Sequence, residues 1–255
     1  MRMKPILFNT EMVRAILDGR KKVTRRLVKP QPVKDGRLWW LDGAAWTDNL
    51  DSVVPVPCHS LYNKAPFHPG DILYVRETWR VQSAHRFEAD AKIEFRAGGQ
   101  MMKIQFDGRC SDGHERHSYD AFISKWGVSG KWHPSIHMPK EAARIFLRVT
   151  HVWIERLQAI TDEEAIKEGV PDEWPMAEIY CPECRGEGLI GSLHPMSLGY
   201  MEIDCPHCEK AVSRFANLWN STIKPADLAT YGWEANPWVW VIEFERISKE
   251  EAMKC

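Results

Sequence analysis

Long hydrophobic runs are missing from this sequence. No stretch approaches the roughly 20 apolar residues that a membrane-spanning helix needs, and the N-terminus lacks an apolar core of signal-peptide length, which predicts a cytoplasmic protein with no membrane partner. A dominant charge is missing too: 34 Lys and Arg stand against 35 Asp and Glu, for a formal net charge of −1. That balance excludes the strongly basic proteins that coat nucleic acid without selectivity. There is no Walker loop, no dinucleotide-binding glycine fingerprint and no Ser nucleophile elbow, so the enzyme classes recognised by those motifs are set aside. Cysteines number seven. Four fall in a metal-ligand pattern and the others are scattered singly, as expected for reduced thiols rather than a disulfide framework.

Tryptophan, by contrast, is abundant, with twelve in 255 residues. Indole buries a large area and also stacks on bases, so the excess suits a core or a nucleobase pocket, with most of it in the core. A chain of this length can bury a full core and reads as one elaborated domain, or one domain with a small satellite. Its charges are unevenly spread. Residues 1–40 hold eleven Lys or Arg against three Asp or Glu, a balance of +8, while residues 161–204 hold two against eleven, a balance of −9. A basic N-terminal portion could face a nucleic-acid backbone, and an acidic portion would restrict where that strand lies. The plainer alternative is that the two segments neutralise each other in the fold.

The densest basic stretch follows a helix signal. Met12, Val13, Ile16 and Leu17 recur on one helical face, Asn9 or Thr10 can cap its start, and Gly19 can take the left-handed conformation that ends it. A helix from Thr10 to about Asp18 is expected, after a short opening strand from Met3 to Phe8. Five of the seven residues from Arg20 to Arg26 are then Lys or Arg. They would suit phosphate oxygens, with Thr24 as a hydroxyl among them. Alternatively they form a solvated turn whose cations offset the dipole of the helix they follow.

From Lys29 to His68 the pattern is irregular, with a hairpin expected near Leu38-Trp39-Trp40. Pro69-Gly70-Asp71 launches a strand from Ile72 to Glu77, and Glu77 could pair with Lys21 or Arg26, orient a base, or mark where the strand meets water. Ala91 to Phe95 and Met101 to Phe106 read as a strand pair around Ala97-Gly98-Gly99. Cys110, His114 and His117 make a further metal candidate that lacks an evident fourth ligand. Pro134 and Pro139 keep His133 and His137 off a common helical face, and His137 is either a wall residue of a site or a structural histidine. Ile145, Leu147 and Val149, then Val152 and Ile154, form a long strand whose inward parity changes near Thr150-His151. Thr161 and Glu164 have the spacing of a capping box for a helix ending at Glu168-Gly169. A carboxylate there is unfavourable unless a cation compensates, and Lys21 is the candidate. Val212, Phe215, Ala216 and Trp219 mark a later helix, and Trp238 to Glu245 a terminal strand.

Cys181-Pro-Glu-Cys184 and Cys205-Pro-His-Cys208 are two Cys-x-x-Cys knuckles separated by twenty residues. Each gap lets both thiolates reach one tetrahedral ion, so a structural Zn²⁺ bound by Cys181, Cys184, Cys205 and Cys208 is expected, with no position left open for water. Such a zinc ribbon would stabilise an insertion rather than the main core.

Gly19-x-Lys21-x-x-Thr24-x-Arg26 resembles the Gly-x-Lys-x-x-Thr-x-Arg signature of the ASCH domain, a relative of the PUA-type RNA-binding barrels. Pro69-Gly70-Asp71-x-Leu73-x-Val75-x-Glu77, the segment from Thr161 to Gly169 and the strand from Trp238 to Glu245 are similar to further blocks of that family, in particular to members carried by phages and prophages. The resemblance implies an α+β fold: a PUA-like (ASCH) β-barrel with flanking short helices and an inserted zinc ribbon. In these terms residues 1–170 form the barrel with irregular insertions, 171–210 the ribbon, and 211–255 a final helix and strand that complete the barrel. It also implies an RNA, nucleoside or nucleotide ligand. Some bacterial ASCH proteins are amidohydrolases that deacetylate acetylated cytidine, and by motif their catalytic roles fall on Lys21, Thr24 and Glu168. Lys21 with a depressed pKa would activate the Thr24 hydroxyl, and Glu168 would protonate the leaving amine. Arg20, Arg25, Arg26, Glu77 and His137 are the expected nucleic-acid or substrate contacts. Other members are assigned ribonuclease activity, and a third possibility is a non-catalytic reader of RNA or a modified base. Lys22 departs from the amidohydrolase-like signature, which usually has Thr there. The ribbon insertion could clamp the substrate or bind a protein partner.

Overall fold

The computed structural model describes residues 3–47, 50, 52–55, 60–106, 116–170, 183–184, 189–193, 200–205 and 210–254. They form two compact units, each assembled from separate stretches: Met1–Asp18, Gly70–Arg148 and Glu245–Cys255 in the first, Gly19–Pro69 and Val149–Phe244 in the second. Each unit draws on separate stretches because strand pairing joins segments distant in sequence.

In the first unit, strand β1 (Lys4–Leu7) lies parallel to β7 (Ile72–Arg76), and β7 pairs antiparallel with the start of β11 (Phe146–Arg156). The helix α1 (Thr10–Leu17) begins where the sequence signals it: Asn9 accepts the Met12 N–H at 2.9 Å, and Val13, Ala15 and Ile16 are buried. Gly19, just past its end, has a φ of 77°, which side-chain-bearing residues rarely adopt. Strands β8 (Trp79–His85), β9 (Asp90–Phe95) and β10 (Met102–Gln105) make an antiparallel meander, with a register shift between Val81 and Ser83. Trp79, Val81, Ile93, Phe95 and Phe106 pack there with Met138 and Phe146 as one core. The helix α2 (Arg116–Trp126) adds Tyr119, Phe122, Ile123 and Trp126 to this core. No helix was expected in this stretch, because its apolar residues are thinly spread among polar ones, yet they recur at helical spacing. Cys110 and His114 lie outside the described residues, and no side-chain position is described for His117.

In the second unit, β2 (Val23–Leu27) pairs antiparallel with β14 (Trp238–Ile247), setting Thr24 opposite Ile242, Arg25 opposite Val241 and Arg26 opposite Trp240. The short β6 (Ser52–Val53) pairs with the later part of β11. The hairpin expected at Leu38-Trp39-Trp40 is a three-stranded meander of β3 (Val33–Asp35), β4 (Leu38–Leu41) and β5 (Ala44–Thr47). Its Trp39 and Trp46 meet Trp238 edge-on, with ring centroids 5.5 and 5.2 Å apart. Helix α3 (Asp162–Lys167) packs near α4 (Ala211–Thr222), whose Phe215 and Trp219 join Val23, Leu157, Val239 and Val241 in a second core. Strands β12 (Leu189–Leu193) and β13 (Tyr200–Asp204) pair as an antiparallel hairpin.

The architecture is mixed α+β. Among the described residues no sheet closes on itself into a barrel, and no helix is long and apolar enough to cross a membrane.

Candidate functional site

The basic turn is tied to the end of α3: the Lys22 N–H donates to Lys167 O at 2.8 Å, Lys21 Nζ to Glu168 O at 2.7 Å, and Arg20 Nη1 to Gly169 O at 3.3 Å. Three successive carbonyls at a helix C-terminus are thereby satisfied by three successive residues of the turn. Two of the donors are cations, which also complement the negative end of the helix dipole. Gly169, at a φ of 84°, supplies the left-handed turn that exposes these carbonyls.

Lys21 is buried, and its Nζ also donates to Val23 O at 2.8 Å and to Glu168 Oε2 at 2.6 Å. An ammonium has three hydrogens, and here three acceptors meet it. Burial lowers the Lys21 pKa, Glu168 opposes that shift, and Arg26 and Arg25 reinforce it. The pairing answers the cost of placing Glu168 at a helix C-terminus. It joins residues 147 positions apart in sequence.

Arg25, also buried, extends the network. Its Nε and Nη2 donate to Glu155 Oε1 at 3.0 and 2.7 Å, Nη2 reaches Glu164 Oε2 at 3.1 Å, and Nη1 reaches Glu168 Oε1 at 3.3 Å. The same Glu164 closes the capping box with Thr161. Glu155 takes a further hydrogen bond on Oε2 from Trp153 Nε1 at 2.5 Å. Burial raises the Glu155 pKa even so, outweighing Arg25 and Trp153. Strand alternation sends Thr24 and Arg26 to the face of β2 opposite Arg25. Thr24 is buried and Arg26 half-buried.

Glu77 belongs to the first unit, and there its two oxygens accept from Arg144 Nε and Nη2 at 2.8 and 2.9 Å. Of the readings open for Glu77, pairing with a cation is met here by Arg144, whose guanidinium lies 3.9 Å from the Phe95 ring centre. Burial raises the Glu77 pKa against the opposing effect of Arg144. His137 is exposed, and its ring centre lies 6.4 Å from that of Trp126. Cys184 and Cys205 are buried in one cluster with Ile190, beside the β12–β13 hairpin, while Cys181 and Cys208 lie outside the described residues.

Glu155 and Arg144 are absent from the sequence reading, and Glu164 enters it only as a capping residue, not as a partner of Arg25. Glu155 carried a signal, a carboxylate two residues after Trp153 in a strand otherwise read as core. Arg144 had none, since its partner lies 67 positions away. His85, Glu88 and Asp90 also cluster, but Lys103 Nζ stands 2.6 Å from Asp90 and 3.9 Å from Glu88, so an ammonium already supplies the positive charge a metal would bring. Lys103, then His85, hold the Asp90 pKa at about 2.

Chemically, the Lys21 network can fix a turn against a helix end and hold charge in a dry setting. Compared with family models, curated proteins and solved structures, the chain gives no match to any.

Proposed function

We propose that this protein is a binder of RNA or of a nucleoside, built on an ASCH-type, PUA-like variant of the α+β fold. The observation that carries this reading is the 2.6 Å contact between Lys21 and Glu168, both buried. They come from two separate blocks that resemble the family, and the resemblance assigns them to one site. The exposed Lys22, the half-buried Arg20 and Arg26 and the tryptophan-rich composition agree with phosphate contact and base stacking.

Binding is favoured over catalysis because Lys21 donates three hydrogen bonds and both Glu168 oxygens accept from cations. A base must shed a proton, and a general acid must hold one. The hydrolytic reading, with Lys21, Thr24 and Glu168 acting on acetylated cytidine, rests on the lowered Lys21 pKa. Incubating the protein and a Lys21→Met variant with acetylated cytidine and with labelled single-stranded RNA separates the readings. RNA or nucleoside retention that depends on Lys21, without turnover, is the expected result. Lys21-dependent release of cytidine would establish the amidohydrolase, and Lys21-dependent strand cleavage the ribonuclease.

A structural Zn²⁺ held by Cys181, Cys184, Cys205 and Cys208 belongs to the same proposal. Two buried cysteines clustered beside one hairpin, each from a Cys-x-x-Cys pair, suit a closed thiolate site. The metal would hold the hairpin ends together. One equivalent of zinc in the purified protein, lost in Cys184→Ser, is the expected outcome, and a metal-free wild type would overturn it.

A further inference from the structure

Beside the ion network, the second unit contains an open cleft of about 340 Å³. Tyr62, Phe67 and His68 line it from one segment, and His151 and Trp153 from β11. Its volume is near the lower end of the roughly 300–1,000 Å³ typical of small-ligand sites, which suits one flat ring with a small substituent better than an extended cofactor. None of the lining residues is Asp, Glu, Lys or Arg. The group seated there is therefore uncharged, since a charge would be desolvated without a partner.

The rings are held in place before any ligand arrives. Tyr62 and His68 lie with centroids 4.3 Å apart, and His68 Nε2 donates to Tyr62 O at 2.9 Å. Trp153 is fixed by its indole N–H on Glu155 at 2.5 Å. His151 Nδ1 lies 2.8 Å from Glu243 Oε2. A carboxylate only accepts, so Nδ1 carries the hydrogen, and Nε2 accepts whenever the ring is neutral. A cleft that combines stacking faces, a hydrogen-bonding imidazole and no carboxylate, ammonium or guanidinium in its lining matches a heteroaromatic ring bearing N–H donors.

We infer that this cleft binds a nucleobase, stacked among Tyr62, His68 and Trp153. The inference rests on the proposed RNA or nucleoside ligand and adds where its base sits. The route from cleft to motif is short: Trp153 and Glu155 share one face of β11, Glu155 holds Arg25, and Arg25 and Lys21 hold Glu168. No side chain that recognises the base needs to belong to the motif itself.

Two variants test it. Tyr62→Ala removes a half-buried ring, and Val54→Trp fills the cleft from an exposed position without deleting any core contact. Wild type, both variants and Lys21→Met are titrated with free adenosine and cytidine by calorimetry and with a short single-stranded RNA by fluorescence anisotropy, their folding checked by thermal melts. Tyr62→Ala is expected to weaken binding by roughly tenfold, the usual effect of losing one stacking ring, and Val54→Trp by more. Saturation by nucleosides would identify a free nucleoside as the source of the base, and binding of RNA alone would identify a strand. Wild-type affinity in both cleft variants, alongside loss in Lys21→Met, would overturn the cleft while leaving the proposed function standing. Failure of the wild type to bind either probe would overturn both.

Discussion

Each unit buries a glutamate against an arginine, and the two arrangements differ in how they end. In the first, Glu77 and Arg144 face each other through two hydrogen bonds, a closed pair of one anion and one cation. In the second, Lys21 and Arg25 meet three carboxylates, Glu155, Glu164 and Glu168, drawn from a strand and a helix, and the turn carrying Lys21 also caps that helix. The first arrangement balances its own charge and reaches beyond the pair only to neutral groups, the Gln100 carbonyl and the Phe95 ring. The second couples a turn, two strands, a helix end and, through Trp153, a cleft. Burial of a charged residue is therefore no mark of function by itself. What distinguishes the two is connectivity.

The largest expected effects come from leaving one charge alone. Glu168→Ala strands Lys21 and part of Arg25, and Arg144→Ala strands Glu77, so each should cost about 3–5 kcal/mol in urea denaturation. A cost below about 1 kcal/mol for either would mean that water or a neighbour compensates and that the site is not dry.

Replacing both partners by apolar residues sharpens the contrast. A buried ion pair exchanged for side chains of similar volume is often neutral or stabilising by about 1–4 kcal/mol. Glu77→Leu with Arg144→Met should leave both folding and ligand retention intact. Lys21→Met with Glu168→Leu should keep the fold and lose retention. Loss of retention in both pairs would break the comparison.

Proton linkage gives a smaller effect of definite sign. Burial raises Glu77 and Glu155 above the ordinary carboxylate range. Between their unfolded and folded values the folded state holds more protons, so their contribution is full below the unfolded pKa and is lost as pH rises through the folded one. Lys21 is lowered, so its contribution is present above the ordinary lysine range and is lost as pH falls through its depressed value. Melting temperatures followed upward from about pH 4 should fall less steeply in Glu155→Gln and Glu77→Gln than in the wild type. An unchanged slope in Glu155→Gln would remove that residue from the account.

The smallest effect tests whether the network reaches the start of α3 as well as its end. Glu164 Oε2 accepts both the Thr161 N–H and Arg25 Nη2, each at 3.1 Å. Thr161→Ala should cost about 1 kcal/mol, as loss of an N-cap usually does, and should leave ligand retention unchanged. A cost of 3 kcal/mol or more would show that the cap and the ion network act as one unit.

Local signals were legible and distant ones were not. Asn9 and Gly19 bound α1, and Thr161 with Glu164 opens α3, because caps are decided within four residues of chain. The compensation of Glu168 by a cation could be anticipated from the helix dipole and the motif blocks together. The turn of Arg20 to Lys22 could be read either as a phosphate contact or as a solvated turn offsetting its own helix; that it caps α3 was in neither reading, because the Lys167 carbonyl that the Lys22 N–H meets lies far along the chain.

By itself, the sequence determined where about half of the helices and strands begin, which residues are apolar enough for a core, and which cysteines could share an ion. These depend on spacing of one to four residues, where backbone geometry leaves few choices. Tertiary structure alone decided that Arg144 faces Glu77, that Glu155 and Glu164 surround Arg25, and that Tyr62 and Trp153 share a cleft. The physical reason is that a buried charge or ring needs some partner, and many residues of the right chemistry are available along the chain. Only the packed fold selects which of them is near.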